Sequence, residues 1–229
     1  MNVLSESEQL QTIEPVGISG HDDRKGKSRA IAHPQTTVFW LEKGIEVVPL
    51  HEKDGQSNFT DQILGQVFRR IVREDTLNKL FYDGSVRNTR DFRKFMRNPE
   101  NEIFFVNFNG REAGFFWLNH FRQKSFFINY CLYKEFWGEA GLTISNLCIE
   151  HLFKRKDADG DFLVDVLLGL TPANNKLAVN FLLQNEMSIL GKVPGFLYDS
   201  ATGETVDGVF SYRQRSKKSG FKMSSFFFG

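Results

Sequence analysis

The stretch Ser125-Phe-Phe-Ile-Asn-Tyr-Cys-Leu-Tyr133, running directly into Lys134-Glu-Phe-Trp-Gly-Glu-Ala-Gly-Leu142, decides how the chain is read. Its first half is dense in aromatic and branched residues and bounded by polar ones, the pattern of a strand. Beyond the glycine-containing elbow, Leu142, Ile144, Leu147, Cys148 and Leu152 recur near a 3.6-residue period. Lys154, Arg155 and Lys156 then close a helix with charges suited to its C-terminal dipole. The first turn of such a helix carries backbone N–H groups without intrahelical partners, and Gly138, Ala140 and Gly141 shield them little. The elbow is therefore either a tight strand-to-helix turn built of small residues or a cradle for an anion such as a pyrophosphate.

A second strand-turn-helix pattern follows in Asp161-Phe-Leu-Val-Asp-Val-Leu-Leu-Gly-Leu-Thr-Pro-Ala-Asn-Asn-Lys-Leu-Ala-Val-Asn-Phe181. Together the two resemble the GNAT superfamily of acyl-CoA-dependent N-acyltransferases, over about residues 45–212. In that family a strand ends in Gln/Arg-x-x-Gly-x-Gly/Ala, whose backbone amides hold the CoA pyrophosphate. Glu135-Phe-Trp-Gly138-Glu-Ala140 stands in that pattern here. The family's next strand leads into Asn-x-x-Ala and an apolar helix; Asn175-Lys-Leu-Ala178 and Phe181 match it. Residues 189–199 and 206–212 look like the family's last two strands.

The resemblance implies an α/β (α+β) fold, a mixed and mostly antiparallel central sheet flanked by helices in a single domain. The sheet would be splayed between residues 125–133 and 162–170, with acyl-CoA entering the splay. The reaction implied is transfer of an acetyl group from acetyl-CoA to an amine acceptor, the carbonyl oxygen held by backbone N–H of the central strand. Cofactor-binding positions carried over are Leu132, Lys134, Gly138, Glu139, Ala140, Gly141, Leu142, Asn175, Ala178 and Phe181. Glu135 is the expected base, with Asn129 or Tyr130 acting through water as alternatives. Tyr130 or Tyr133 is the expected acid to the leaving thiolate. Three departures accompany these matches: Glu135 replaces the family's Arg or Gln, Leu182 replaces its tyrosine acid, and Glu186-Met187 replaces its Gly-Phe. Glu135 and Glu139 put two carboxylates beside the phosphate site. At about 4 Å and an effective dielectric near 20, each would oppose one phosphate charge by a few kcal/mol. A scaffold with these departures also fits a non-catalytic binding or assembly protein, such as a bacteriophage virion component.

Length and composition bound these readings. At 229 residues the chain makes one full domain. With 29 basic and 28 acidic residues, no long-range field favours nucleic acid or a membrane surface. Residues 69–97 are locally basic, either as a solvated helix face or as a contact for an acidic acceptor or a nucleic-acid backbone. Phenylalanine dominates the aromatics, 24 against five tyrosines and three tryptophans, and such rings suit strands. Cys131 and Cys148 lie at expected core positions, and their use suits a reducing compartment, hence the cytoplasm. The five histidines show no metal or triad spacing, and no metal is expected.

Residues 1–36 read as a polar arm, residues 37–212 as the domain, and residues 213–229 as a basic tail ending in phenylalanines, the two ends offering surfaces for protein partners. Strands are expected near residues 37–41 and 45–50. Thr60 caps a helix whose apolar face holds Ile63, Leu64, Val67, Phe68, Ile71 and Val72. Two shorter helices follow near Leu77 and over residues 89–96. Asn109-Gly110 joins two apolar runs as a hairpin. Asp157-Ala-Asp-Gly-Asp161 lacks the glycine and glutamate placement of a calcium loop and reads as a surface turn.

Overall fold

Alternation within the strands divides the phenylalanines between two faces of one sheet. Phe104, Val106, Phe116 and Leu118 enter one core, whereas Ile103, Phe105, Phe115 and Trp117 enter the other. The computed structural model describes residues 37–53 and 55–216. In chain order these form β1 (Phe39–Leu41), β2 (Ile45–Pro49), β3 (Glu52–Lys53), β4 (Gln56–Ser57), α1 (Asp61–Arg73), α2 (Leu77–Leu80) and α3 (Thr89–Met96). There follow β5 (Glu102–Phe108), β6 (Arg111–Arg122), β7 (Ser125–Leu132), α4 (Glu139–Lys154), β8 (Val166–Pro172), α5 (Lys176–Gln184), β9 (Ser188–Asp199) and β10 (Glu204–Gln214). Helices α1 to α3 cover one face through Leu64, Ile71 and Phe92; α4 covers the other through Ile144, Cys148 and Leu152.

The local signals explain most boundaries. Thr60 Oγ1 accepts the Ile63 N–H at 3.3 Å, the expected cap of α1. Of the expected apolar face, Leu64, Val67, Phe68 and Ile71 are buried, while Ile63 and Val72 are exposed at its margins. Asn109 and Gly110 both take positive φ, 51° and 73°, as a two-residue hairpin turn of this kind requires. The strand expected over residues 162–170 begins later, at Val166. Before it the chain is held as a loop, because Asp157 Oδ1 accepts the N–H groups of Asp159 and Asp161 and the Arg155 carbonyl accepts that of Leu163. Strand β10 continues to Gln214, and Arg213 and Arg215 pair with Glu150, Glu186 and Asp165. The arm over residues 1–36 and the phenylalanine-ending segment from residue 217 lie outside the described residues.

The main sheet has eight strands in the order β1-β2-β5-β6-β7-β8-β10-β9. Every neighbouring pair is antiparallel except β7 and β8, which run parallel and pair only at Ser125 with Val166, Phe126 with Leu167 and Phe127 with Leu168. Past those three pairs the strands part. The closed end is fastened by the Lys124 carbonyl, which accepts the N–H groups of Asp165 at 2.8 Å and Val166 at 3.2 Å. Arg215 in turn holds the Asp165 carboxylate at 2.7 Å. At the open end lie the Gly138 elbow and α5, a helix with no fully buried residue. No helix among the described residues is long and apolar enough to cross a membrane.

Candidate functional site

The parting of β7 and β8 creates a cleft of about 490 Å3 that reaches the start of α4. Its β7 wall has a defined polarity. Tyr133 N–H donates to the Ala113 carbonyl at 3.0 Å, so odd-numbered residues of β7 turn their backbone groups toward β6. Tyr130 and Leu132 therefore turn theirs toward the cleft, beyond the last pair with β8. The Leu132 carbonyl is engaged by the Trp137 indole N–H, while the N–H groups of Tyr130 and Leu132 face the opening.

At the mouth, Gly138 is the N-cap of α4 with φ of 80° and no side-chain cap. A Cβ built there would meet nothing within 4 Å. The first bond of the helix runs from Leu142 N–H to the Gly138 carbonyl, so the donors of Glu139, Ala140 and Gly141 begin a sixteen-residue helix with no carbonyl a turn earlier inside it. This is an open cradle for an anion. Across the cleft, Asn175 caps α5 by accepting the Ala178 N–H at 3.2 Å, and Phe181 sets its ring 5.9 Å from that of Tyr130.

Of the residues expected at the site, Tyr130, Leu132, Gly138, Gly141, Leu142, Asn175, Ala178 and Phe181 line the cleft. Lys134, Glu139 and Ala140 stand at its elbow without lining it, with the Lys134 ammonium 5.9 Å from the centre of the Trp137 ring. Glu135 and Tyr133 are turned elsewhere. The Glu135 carboxylate pairs with Arg70 and with Arg111. Arg70 also holds Glu74 at 2.9 Å, and Glu74 accepts the Lys134 N–H at 2.8 Å. Burial works against the Arg70 charge, but the bonds to Glu74 and Glu135 outweigh it and raise its pKa. These groups clamp the turn at residues 134–136 to the end of α1, and the two arginines neutralise Glu135, one of the two carboxylates expected to oppose a phosphate. The Tyr133 hydroxyl donates to Glu112, and burial, together with that carboxylate, drives its pKa far up.

Tyr130 borders the cleft, yet its hydroxyl donates to the Ser145 carbonyl of α4 at 3.3 Å. Burial holds it as a neutral phenol, with Cys148 adding to the shift and Arg213 opposing it. The expected base and both expected acids are thus committed to other partners. Tyr82, which the sequence did not single out, lines both this cleft and an adjoining cavity of about 550 Å3 on the side of α1 to α3. Its pKa is raised by burial and by the neighbouring Asp83. Trp117 and Asn129 also border both spaces.

Solved structures similar to this chain carry the same architecture. The ribosomal alpha-N-protein acetyltransferase RimL in complex with coenzyme A matches with a TM-score of 0.59 at 13% identity, covering 77% of this chain and 97% of that one. The microcin self-immunity acetyltransferase MccE, in complex with acetyl-CoA and AMP, matches with a TM-score of 0.54 at 16% identity, covering 75% and 92%. A GNAT-family acetyltransferase from Bacillus anthracis matches with a TM-score of 0.58 at 12% identity, covering 79% and 100%. No protein-family model matches the sequence, and no curated protein does. The chain has the GNAT fold: a mixed, mostly antiparallel sheet that splays in the middle, with helices on both faces.

Proposed function

We propose that the protein is an N-acetyltransferase that moves the acetyl group of acetyl-CoA onto an amine. The observation that carries this reading is the separation of β7 from β8 into a cleft ending at the start of α4, whose N-cap Gly138 has no side chain to fill the cradle. The complexes of RimL with coenzyme A and of MccE with acetyl-CoA support it.

In this reading the N–H groups from Gly138 to Gly141 hold the pyrophosphate, with the helix dipole adding to the attraction. Backbone N–H of Tyr130 and Leu132 pairs with the pantetheine arm and steadies the thioester oxygen as charge develops on it. Leu142, Ala178 and Phe181 give the arm apolar walls, and Asn175 closes the mouth opposite Gly138. The amine loses a proton to water and attacks the carbonyl carbon; the C–S bond then breaks. Tyr82, the phenol at the junction of the two spaces, supplies the proton to the departing thiolate. We assign the reaction to the cytoplasm, a reading supported by two free, buried cysteines.

The test is thermal denaturation with and without acetyl-CoA, for the wild type and Gly138→Asp. A ligand at a hundredfold over its Kd stabilises the wild type by about 2.7 kcal/mol. The substitution has room but places a side chain at φ of 80° and ψ of −139°, a conformation other residues rarely take, so it costs about 1–3 kcal/mol of stability while abolishing the response. A folded wild type with no response overturns the proposal.

A further inference from the structure

The cavity beside the cleft carries information about the acceptor. It holds about 550 Å3, within the roughly 300–1,000 Å3 of small-molecule sites, and meets the cleft along Leu80, Tyr82, Trp117, Asn129 and Leu170. Its floor is polar. The Trp117 indole nitrogen is buried without a hydrogen-bond partner, in a side chain only 5% exposed. Beside it Asn129 donates to Asn119 at 3.3 Å. Buried donors are normally paired, so an unpartnered indole N–H in a side chain that lines the cavity points to an acceptor atom brought in by a ligand.

The same cavity has one charge of each sign on its wall. Asp83 uses Oδ1 to accept from the Ser85 N–H at 3.0 Å and hydroxyl at 2.7 Å, which leaves Oδ2 without a hydrogen bond among the described residues. Arg122 takes part in none of the ion pairs among the described residues. The loop that carries Tyr82 and Asp83 is held from outside the cavity lining. Ser200, at the tip of the β9–β10 hairpin, donates its N–H to the Tyr82 carbonyl at 2.7 Å, and a Cβ at Gly84 would fall 2.8 Å from the Ser200 hydroxyl. The hairpin thus meets the loop that carries Tyr82, Asp83 and Ser85 and fixes it beside the cavity.

We infer that the acceptor is a small amine that also carries an acid group, of the kind found in a free amino acid: Asp83 receives the amine end, Arg122 the anionic end, and the Trp117 N–H an acceptor atom between them. This rests on the acetyltransferase reading and specifies its second substrate. In the reaction the free amine's lone pair forms the C–N bond to the acetyl carbon. The C–S bond breaks, its electrons leave with the CoA sulfur, and that sulfur takes up a proton. The proton lost from nitrogen passes to water at the Asp83 side.

The experiment follows thiol release from acetyl-CoA with the full chain. The acceptors are the free amino acids and phosphoethanolamine, with amino-acid amides, putrescine and short peptides as counterparts lacking the nearby acid group. Expected is turnover of at least one acid-bearing amine, at least tenfold more efficient than that of its neutral counterpart. Arg122→Gln should raise KM for that amine at least tenfold with little change in kcat, and leave the counterpart's KM unaltered. Asp83→Asn should weaken both. Thermal melts establish that the variants fold. Preference for the amides or peptides, an unchanged KM in Arg122→Gln, or no turnover of any acid-bearing amine overturns the inference. Calorimetry with acetyl-CoA alone separates the two levels. Binding without acid-bearing turnover defeats only the acceptor assignment, whereas absence of binding defeats the acetyltransferase reading and this inference together.

Discussion

The indole N–H of Trp137 donates to the carbonyl of Leu132 at 2.8 Å. One of the two residues ends the strand that borders the cleft, and the other precedes the glycine that starts α4, so the bond folds the elbow back against its own strand. Trp137→Phe removes it and leaves the Leu132 carbonyl to water at the cleft mouth. Stability should fall by about 0.5–1.5 kcal/mol in chemical denaturation. KM for acetyl-CoA should rise severalfold as the elbow loosens. An unaltered KM with the stability loss present would show that the bond serves folding alone.

Glu135 holds Arg70 and Arg111 and does not reach the cleft. Exposed pairs of this kind contribute about 0–1 kcal/mol each. Glu135→Gln should cost about 1 kcal/mol of stability and leave kcat within about twofold of the wild type, because no transition-state contact is lost. A loss of a hundredfold in a folded variant would restore this carboxylate as the base.

Tyr82→Phe retains the ring and removes the proton. General acids contribute about 100-fold or more, so kcat should drop by about that factor while acetyl-CoA still binds. An acid works only while protonated, and activity that depends on it is lost as pH rises through its pKa. Burial and Asp83 raise that pKa above the ordinary value of 10.0. The pH profile should therefore show no falling limb from this group below about pH 10. A limb near neutrality that vanishes in Tyr82→Phe would contradict the shift.

His151 is buried on α4 against Phe39, with rings 4.7 Å apart and Nε2 unpartnered. Burial, with help from Arg155 and Lys154, lowers its pKa from 6.5 to about 4. Above pH 6.5 the histidine is neutral in both folded and unfolded chains and contributes no pH dependence. As pH falls from 6.5 toward 4 only the unfolded chain takes the proton, so stability declines, by about 3 kcal/mol in full. His151→Phe should flatten this decline. An identical slope in wild type and variant, measured by denaturation at pH 7 and pH 4.5, would assign the loss to other groups.

Most of the fold was legible because its signals are local. The Thr60 cap, the Asn109-Gly110 turn, the alternation through residues 103–118 and the small residues from Gly138 to Gly141 each act within a few positions. The cleft walls were legible for the same reason, since Gly138, Asn175 and Phe181 sit at fixed offsets from strand ends. Partners distant in sequence were not. Nothing near Glu135 announces that Arg70, 65 residues away, will capture its carboxylate, or that Tyr133 will spend its hydroxyl on Glu112. Tyr82 reads as a loop residue until tertiary packing places it against both cavities. The late start of β8 had the same origin, a turn at Asp157 whose side-chain bonds compete with strand pairing.

Three residue pairs at the closed end of the splay weld β7 to β8 before the strands diverge. The sheet is thus two leaves sharing a short spine. The larger leaf, β1, β2, β5, β6 and β7, is clad on both faces, whereas the smaller one, β8, β10 and β9, carries an α5 with no fully buried residue. A small swing about the spine moves the two leaves apart most at Gly138 and Asn175 and least at Lys124. A guest lying between them takes the place of the missing rungs, so its own amides would complete the hydrogen bonding that the divergence leaves open.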